Sequence, residues 1–316
     1  ATGCTTVNKM CGSGMKTTML AHDLLKAGTN EVMVAGGLES MSNAPYILPK
    51  ARSGQRLGHG QMMDHMFLDG LEDAFDKGTL MGVFAERTAK KYGFSREAQD
   101  EFAIRSLTRA KKAIEDGSFD AEVTPVTYKN RQGEVTVEQD EQPLTANLEK
   151  IPKLRPAFDK DGTVTAANSS SISDGAAALV MMSESTAKKR GLKPIARFLG
   201  QSSFAQEPAW FTTAPVSAIR NLLETLGWNA DEVDLFEINE AFAVVTMAAM
   251  KDLDLTADKV NVHGGACALG HPVGASGTRI LVTLISALQK YGKTRGVASL
   301  CIGGGEATAM AVEVLS

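Results

Sequence analysis

The sequence lacks the features that mark several large classes of protein. Four cysteines in 316 residues are too few for a disulfide framework, which favours a reducing compartment such as the cytoplasm. A formal net charge of −4 gives no electrostatic reason to expect nucleic acid as a partner. No apolar run approaches the ~20 residues that a membrane-spanning helix needs. We therefore expect a cytoplasmic globular protein with neither nucleic acid nor a membrane as its partner.

The overall composition is typical of a folded protein. Hydrophobic residues make up 43% of the chain and charged residues 22%. The length is compatible with one large fold or with two to three domains. The chain starts at Ala1, without a Met, in a segment rich in Gly and Thr, and we expect a further N-terminal segment before it.

A pattern of helix, strand and glycine turn occurs twice. Each copy begins its helix at a Ser-Gly pair, continues as an apolar strand and closes on consecutive glycines. This repetition favours an α/β fold of two similar halves, in the manner of parallel βαβ units. The positions are helix 13–28, strand 31–35 and glycines 36–37 in the first copy, and helix 276–292, strand 297–302 and glycines 303–305 in the second.

Two segments, residues 32–34 and 176–181, are apolar without alternation. Continuous apolar runs are typical of strands that are buried on both faces of a parallel sheet. We therefore expect both segments to be buried parallel strands.

Residues 43–168 differ from the two copies, because they hold most of the proline and charge of the chain. A cap at Ser95 and one apolar face predict a helix over residues 96–115. A shorter helix over 83–92 is expected to stop at Gly93. We interpret this region as an insertion that packs over the duplicated core.

Cys11 lies at the turn that leads into the first predicted helix. The unpaired N–H groups and the positive end of the dipole at a helix start favour a thiolate, which is the nucleophilic form of cysteine. Gly12, Ser13 and Gly14 leave room for a substrate carbonyl. The alternative is a buried structural cysteine, the commoner state of a single cysteine.

Three later segments carry reactive side chains at the ends of predicted strands, where α/β proteins assemble sites. They contain Asn239, His271 and Cys301. Considered singly, Asn239 also fits a helix cap, His271 a histidine in a turn, and Cys301 an unreactive cysteine of the core. A zinc site would use closely spaced N and S ligands, and the chain has no C-x-x-C pair. A Cys/His hydrolase of the papain type would leave the second cysteine, on its glycine-rich turn, unexplained.

Taken together, the motifs of the chain resemble the thiolase family over all 316 residues and in the family's order. The resemblance implies a five-layered αβαβα fold of two similar halves. It places residues 1–42 and 169–192 in the N-terminal half and 193–316 in the C-terminal half, with a CoA-binding loop domain over 43–168. The motifs are N-K-M-C-G-S-G at 8–14, A-G-G-L-E-S-M-S at 35–42, N-E-A-F-A at 239–243, G-H-P at 270–272 and C-I-G-G-G at 301–305.

The resemblance also implies a role for each candidate catalytic residue. Cys11 corresponds to the nucleophile that takes the acyl group from an acyl-CoA, and His271 to the histidine that activates this thiol. Cys301 corresponds to the acid/base that removes the α-proton of the incoming acetyl-CoA. Asn239 corresponds to the residue that fixes a water in one oxyanion hole, and the backbone N–H groups of Cys11 and Gly303 form the other. Such a set suits Claisen chemistry, which needs an acyl carrier, a base and oxyanion donors.

On the substrate side, the resemblance places Ser170 and Phe242 against the pantetheine arm of CoA and Met81 in the acyl pocket. Leu80 is a departure, because similar short-chain biosynthetic members carry a histidine there. We expect a more apolar pocket, a preference for acyl chains longer than acetoacetyl, and cleavage as the favoured direction. CoA is the cosubstrate, without a metal or redox cofactor, and the chain is expected to form a homodimer or homotetramer. The alternative is a thiolase-like scaffold that binds CoA or lipid without catalysis.

Overall fold

The computed structural model describes residues 2–131 and 133–315. Of the helices within these ranges, none is both long and apolar enough to cross a membrane. The helices are α1 (Ser13–Lys26), α2 (Met81–Tyr92), α3 (Arg96–Glu115), α4 (Glu141–Thr145), α5 (Glu184–Lys189), α6 (Ala214–Leu226), α7 (Ala243–Asp252), α8 (Ala266–Leu269) and α9 (Ser276–Lys290).

The strands pair into one four-stranded sheet and three two-stranded sheets, in the orders β7-β10-β9-β8, β1-β6, β2-β3 and β4-β5. They are β1 (Val32–Ser40), β2 (Tyr46–Ile47), β3 (Met63–Asp64), β4 (Val126–Asn130), β5 (Gly133–Val137), β6 (Asp174–Met182), β7 (Ala196–Ala205), β8 (Leu235–Ile238), β9 (Arg295–Ile302) and β10 (Glu306–Val314).

Local signals set the predicted helices of the insertion. The hydroxyl of Ser95 accepts a hydrogen bond from the backbone N–H of Ala98 at 3.1 Å, which caps α3 as expected. Helix α2 ends at Gly93, whose φ of 68° lies in the left-handed region that favours glycine. The two predictions are confirmed, with α2 beginning two residues earlier, at Met81.

Helices α1 and α9 lie between the β1–β6 sheet and the four-stranded sheet, and both contact each sheet. Their first turns cross with the backbones in contact. A Cβ added at Gly277 would lie 2.2 Å from the backbone nitrogen of Met15, and one at Gly14 would lie 2.8 Å from that of Thr278. The two glycines therefore permit the approach that brings the starts of α1 and α9 together.

The four-stranded sheet has a core on each face. On one face, Met15 and Leu284 of the central helices pack against Leu300. On the other, α6 packs Leu222 against Phe236. Strands β8 and β9 are parallel, as expected of a βαβ construction, whereas β10 runs antiparallel to its neighbours β9 and β7.

The β1–β6 sheet differs from the expectation of buried parallel strands, which was wrong. The two strands pair antiparallel to each other, with Val34 opposite Val180. One face packs on α1 and α9, but the other leaves Val34 70% exposed and Val180 68% exposed. An unbroken apolar run does not show by itself whether the second face of a strand is covered.

The glycine turn expected at positions 36–37 was also wrong, because both glycines lie inside β1. A Cβ at Gly37 would lie 2.0 Å from the carbonyl oxygen of Gly274, and one at Gly36 would lie 2.5 Å from that of Ala177. The glycines therefore allow close packing of the strand rather than a turn.

The repeated unit is present in three dimensions. Helix α1 is followed by β1 and helix α9 by β9, and each strand pairs antiparallel with a second strand, β6 or β10. Only three residues separate β9 from β10, but the chain leaves the sheet after Ser40 and returns at Asp174. The long excursion between β1 and β6 contains α2, α3 and α4. That residues 43–168 form a separate loop domain stays a prediction.

Candidate active site

Cys11 lies in a short 3-10 turn, Met10–Gly12, which runs directly into α1. The backbone N–H of Gly12 donates to the carbonyl of Lys9 at 3.0 Å, and Met10 has a φ of 48°, which is strained for a residue other than glycine. The Cys11 sulphur accepts hydrogen bonds from its own N–H and from that of Gly303. The two N–H groups assigned to an oxyanion hole therefore converge on the thiol.

The expectation that the helix start holds Cys11 as a thiolate was wrong. Burial of the thiol raises its pKa to about 11, and the hydrogen bonds from Gly303 and its own N–H offset only part of that effect. The nearby charge of Glu39 raises the pKa further. Cys11 therefore rests as a thiol and needs a base.

Cys301 is the penultimate residue of β9, two residues before Gly303, and is fully buried. It belongs to an apolar cluster with Met81, Phe84 and Phe242. Burial raises the pKa of the Cys301 thiol well above its usual range, and the adjacent Cys11 raises it further. The structure thus brings the two thiols together and keeps Cys301 protonated.

His271 is buried, five residues before the start of α9. Its Nδ1 lies 2.5 Å from the Ser276 hydroxyl, which in turn donates to the carbonyl of Pro272 at 3.0 Å. Since that hydroxyl has one proton, its oxygen accepts the proton of Nδ1, which leaves Nε2 as a free base. Burial, followed by the positive charge of Arg279, lowers the pKa of His271 to about 4, so the ring is neutral at pH 7.

Asn239 follows β8, and its backbone N–H donates to the carbonyl of Ser299 at 3.0 Å, which extends the pairing with β9. Its side-chain Nδ2 lies 3.4 Å from Nδ1 of His271. The alternative role as a cap is wrong, because the N-cap of α7 is Phe242. Asn239 and His271 therefore form one polar pair by proximity, without a hydrogen bond between these atoms, because Nδ2 and the protonated Nδ1 are both donors.

The crossing of α1 and α9 places the Cys11 turn and the His271 segment at the same end of the two central helices. The Thr278 hydroxyl donates to the carbonyl of Gly14 at 2.8 Å and ties the two first turns together. The thiol pair and the polar pair therefore belong to one region of the fold.

The predicted substrate residues surround the same region. The backbone N–H and the hydroxyl of Ser170 both donate to the carbonyl of Ala241, each at 3.0 Å. The rings of Phe242 and Phe158 meet edge to face, with centroids 6.0 Å apart. A Cβ at Gly303 would lie 3.3 Å from the sulphur of Met81. Leu80 is the N-cap residue of α2 and is half-buried.

Sequence reasoning missed two residues that organise the site. One is Ser276, interpreted only as the first residue of a helix, although it holds the His271 ring. The other is Glu240, whose buried carboxylate accepts from Ser106 Oγ at 2.7 Å, from Asn261 Nδ2 at 2.8 Å and from the N–H of Cys267 at 3.1 Å. This carboxylate ties the segment after β8 to α3. The sequence did contain a signal for Glu240, because a carboxylate next to Asn239 in a strongly apolar stretch is expected to be buried and hydrogen-bonded.

Over residues 2–131 and 133–315, no group of three or more His, Cys, Asp and Glu side chains is arranged to hold a metal ion. The buried Cys267 instead lies beside Glu240, and its thiol approaches the carbonyl of that residue at 3.9 Å.

The Cys11 sulphur thus has two backbone N–H donors and a second thiol around it. That arrangement defines an enzyme that transfers acyl groups through a cysteine. The family model for the thiolase N-terminal domain matches residues 1–185, and the model for the thiolase C-terminal domain matches residues 192–314. The chain belongs to the thiolase family, which decides against the papain-type hydrolase.

Curated relatives support the same assignment. The chain is 51% identical to an acetyl-CoA acetyltransferase of Escherichia coli K12 over 313 residues, which cover 98% of this chain and 79% of the relative. It is 49% identical to an acetyl-CoA acetyltransferase of Thiocystis violacea over 312 residues, with the same coverage.

Solved structures confirm the expected thiolase-like α/β fold. The acetyl-CoA acetyltransferase of Bacillus anthracis superposes with a TM-score of 0.94 at 45% identity, over 98% of this chain and 78% of that one. A thiolase of Ascaris suum, in complex with coenzyme A, superposes with a TM-score of 0.92 at 44% identity, over 99% and 79% of the two chains.

Proposed function

We propose that this chain catalyses acyl transfer between coenzyme A thioesters through an acyl-Cys11 intermediate. The reaction is the reversible Claisen condensation of acetyl-CoA with an acyl-CoA, or the thiolytic cleavage of a 3-ketoacyl-CoA. The observation that carries the proposal is the convergence of the Gly303 N–H and the Cys301 thiol on Cys11. The relatives named as acetyl-CoA acetyltransferases support the same activity.

In the first half-reaction, Nε2 of His271 takes the proton of the Cys11 thiol. The sulphur attacks the carbonyl carbon of the acyl-CoA, and the bond from that carbon to the CoA sulphur breaks. The departing CoA thiolate takes the proton of the Cys301 thiol, which leaves a Cys301 thiolate and a protonated His271. The N–H groups of Cys11 and Gly303, which now meet the thiol, receive the oxyanion as it forms.

In the second half-reaction, the Cys301 thiolate left by the first step removes a proton from the methyl carbon of acetyl-CoA. That carbon attacks the acyl carbon on Cys11, a carbon–carbon bond forms, and the bond to the Cys11 sulphur breaks. The α-proton restores the Cys301 thiol, and the Cys11 thiolate takes back the proton held by His271, so that all three groups return to their resting state. Asn239 holds the water that stabilises the enolate oxygen, a role that its place beside His271 supports.

CoA is the cosubstrate, and we assign its pantetheine arm to Ser170 and Phe242 and the acyl end to Met81 and Leu80. The apolar cluster that joins Met81, Phe242 and Cys301 supports this assignment. The Ascaris suum relative was solved with coenzyme A, which supports the same class of ligand. No metal ion or redox cofactor takes part in the proposed reaction.

The proposal extends to assembly and compartment. Thiolase-like chains usually pair, so we expect a homodimer or a homotetramer. The four cysteines are all free in the structure, which supports a reducing compartment, the cytoplasm. Light scattering at working concentration measures the assembly, and a monomer would contradict it.

A thiolysis assay on acetoacetyl-CoA and free CoA tests the function. Cys11→Ala and Cys301→Ala are each expected to lower kcat by about 10³-fold, because each removes a reacting group. Cys267→Ala is the matched control, since it also removes a buried thiol, and it should keep kcat within about threefold of the original. Unchanged turnover in Cys11→Ala, or CoA binding without turnover in the unaltered protein, would favour the non-catalytic scaffold.

A further inference from the structure

An ion pair spans the two turns that hold the reacting thiols. Lys9, two residues before Cys11, places its Nζ 2.5 Å from Oε2 of Glu306, the first residue after the glycine turn. Both side chains are partly exposed, at 24% and 35%. In the residues that the structure describes, no other ion pair joins these two turns.

Each of the two turns is held internally by its own bonds. In the first, the N–H of Lys9 donates to Ser13 Oγ at 2.8 Å, and that hydroxyl donates to the carbonyl of Met10 at 2.7 Å. The side chain of Asn8 accepts from the N–H of Met10 at 2.9 Å. Lys9 is therefore hydrogen-bonded into the turn that contains Cys11, so a displacement of Lys9 also displaces Cys11.

In the second turn, Gly304 and Gly305 have φ values of 90° and 95°, and Glu306 returns the chain opposite Ile302 in the pairing of β9 with β10. The carbonyl of Gly305 accepts from the N–H of Gln206 at 2.8 Å. Glu306 is thus fixed in position relative to Gly303, whose N–H reaches the Cys11 sulphur.

The interface between the two turns is made mostly of small or apolar groups. A Cβ at Gly12 would lie 2.3 Å from Cδ1 of Ile302, and one at Gly304 would lie 3.9 Å from Cε of Met10. Van der Waals contacts of this kind hold the two turns against each other. Because they are not directional, they do little to prevent one turn from shifting along the other. The strained φ of Met10 also makes the first turn dependent on external support.

We propose that Lys9 and Glu306 are positioning residues that fix the Cys11 turn in register with the Gly303 N–H during acyl transfer. The inference rests on the proposed acyl-Cys11 chemistry. An exposed ion pair contributes little to the stability of a fold. A small displacement of reacting groups, in contrast, costs up to ~100-fold in rate. The pair is therefore expected to affect turnover more than folding.

The test measures kcat, KM and thermal stability for variants of the pair in the full chain. Glu306→Ala is expected to lower kcat about tenfold with KM within about twofold, whereas Glu306→Gln, which keeps an acceptor for Lys9, stays within about threefold. Lys9→Glu and Glu306→Lys each place like charges together and should lose more, about 30-fold. The double charge reversal should recover kcat to within about threefold.

Glu313→Ala is the matched control, because Glu313 lies on the same strand and pairs with Arg197 at 3.7 Å, away from the thiols. It should leave kcat unchanged. A kcat unchanged in Glu306→Ala, or no rescue by the double reversal, would overturn the proposal.

The intact mass of the protein after incubation with acetyl-CoA distinguishes a failure of the positioning proposal from a failure of the proposed acyl-transfer function. If the unaltered protein forms an acyl adduct and Glu306→Ala forms it at the same rate, the positioning role alone is wrong. If the unaltered protein forms no adduct, the acyl-transfer function is wrong and the positioning role falls with it.

Discussion

The two residues that exchange a proton in the proposed mechanism are both uncharged at rest. Burial raises the pKa of Cys11 to about 11 and, with Arg279, lowers that of His271 to about 4. Between these values the free protein holds a neutral thiol and a neutral imidazole. Proton transfer from Cys11 to His271 would create a thiolate and an imidazolium. The buried surroundings disfavour these two charges until the negative charge of the sulphur passes to the oxygen of a substrate carbonyl.

The first prediction concerns the reactivity of Cys11 with iodoacetamide in the absence of substrate. Since the thiolate is the reactive form, the rate of alkylation should rise about tenfold per pH unit between pH 7 and pH 9. Mass spectrometry of the Cys11 peptide measures this rate, and the exposed Cys4 of the same chain is an internal reference. A rate that is independent of pH in this range would mean a preformed thiolate.

The second prediction concerns acyl preference. Leu80 precedes Met81, which approaches Gly303, and the proposed function assigns both residues to the acyl end of the substrate. We expect the unaltered chain to prefer a medium-chain 3-ketoacyl-CoA over acetoacetyl-CoA in kcat/KM. Leu80→His should reverse the preference by about tenfold, and Leu80→Met should retain it. A strict preference for acetoacetyl-CoA in the unaltered chain would contradict this role.

At the scale of elements, the site depends on the crossing of α1 and α9. Gly277→Ala would place a methyl 2.2 Å from the backbone nitrogen of Met15. We expect this substitution to lower the free energy of unfolding by about 3 kcal/mol, because backbone cannot move aside as a flexible side chain can. Chemical denaturation measures the change. Gly70→Ala, with open space around the added methyl, is the control and should be near neutral.

The elements also show which features could be predicted from the sequence. Helix α3 has its bounds as predicted because its cap at Ser95 is a local signal. The partners of β1 and β6 could not be predicted in the same way, since pairing and face coverage depend on residues more than 130 positions apart, such as Val34 and Val180. The glycines at 36 and 37 were misinterpreted for the same reason, because their close neighbour Gly274 is remote in sequence.

At the scale of the whole molecule, the motifs identified Cys11, Asn239, His271 and Cys301, and the fold brings them to one region. The ionisation of these groups could not be predicted, because burial is a property of the assembled protein. The hydrogen-bond partners of His271 and Glu240 could not be predicted either, because Ser276 and Ser106 do not belong to any of the motifs.

Burial of acidic groups in the interior should also make stability depend on pH. Glu237 on β8 is 2% exposed, and burial raises its pKa to about 8, with Arg279 offsetting part of the effect. An unfolded chain loses this proton near pH ~4.3, but the folded protein keeps it up to about pH 8. The contribution of Glu237 to the free energy of unfolding therefore falls as the pH rises between these two pKa values.

Glu237→Gln removes the titrating group and leaves its size. The melting temperature of the variant, relative to the unaltered protein, should rise by a few degrees between pH 5 and pH 8 and then level off. Glu101→Gln, at an exposed position on α3, should show no such trend. A difference for Glu237→Gln that is constant or falls with pH would contradict the account.

The most direct test of the central claim is the intact mass of the protein after brief incubation with acetyl-CoA. We expect one added acetyl group, located on the Cys11 peptide, present in Cys267→Ala and absent in Cys11→Ala. An unmodified protein, or an acetyl group that persists in folded Cys11→Ala, would contradict it.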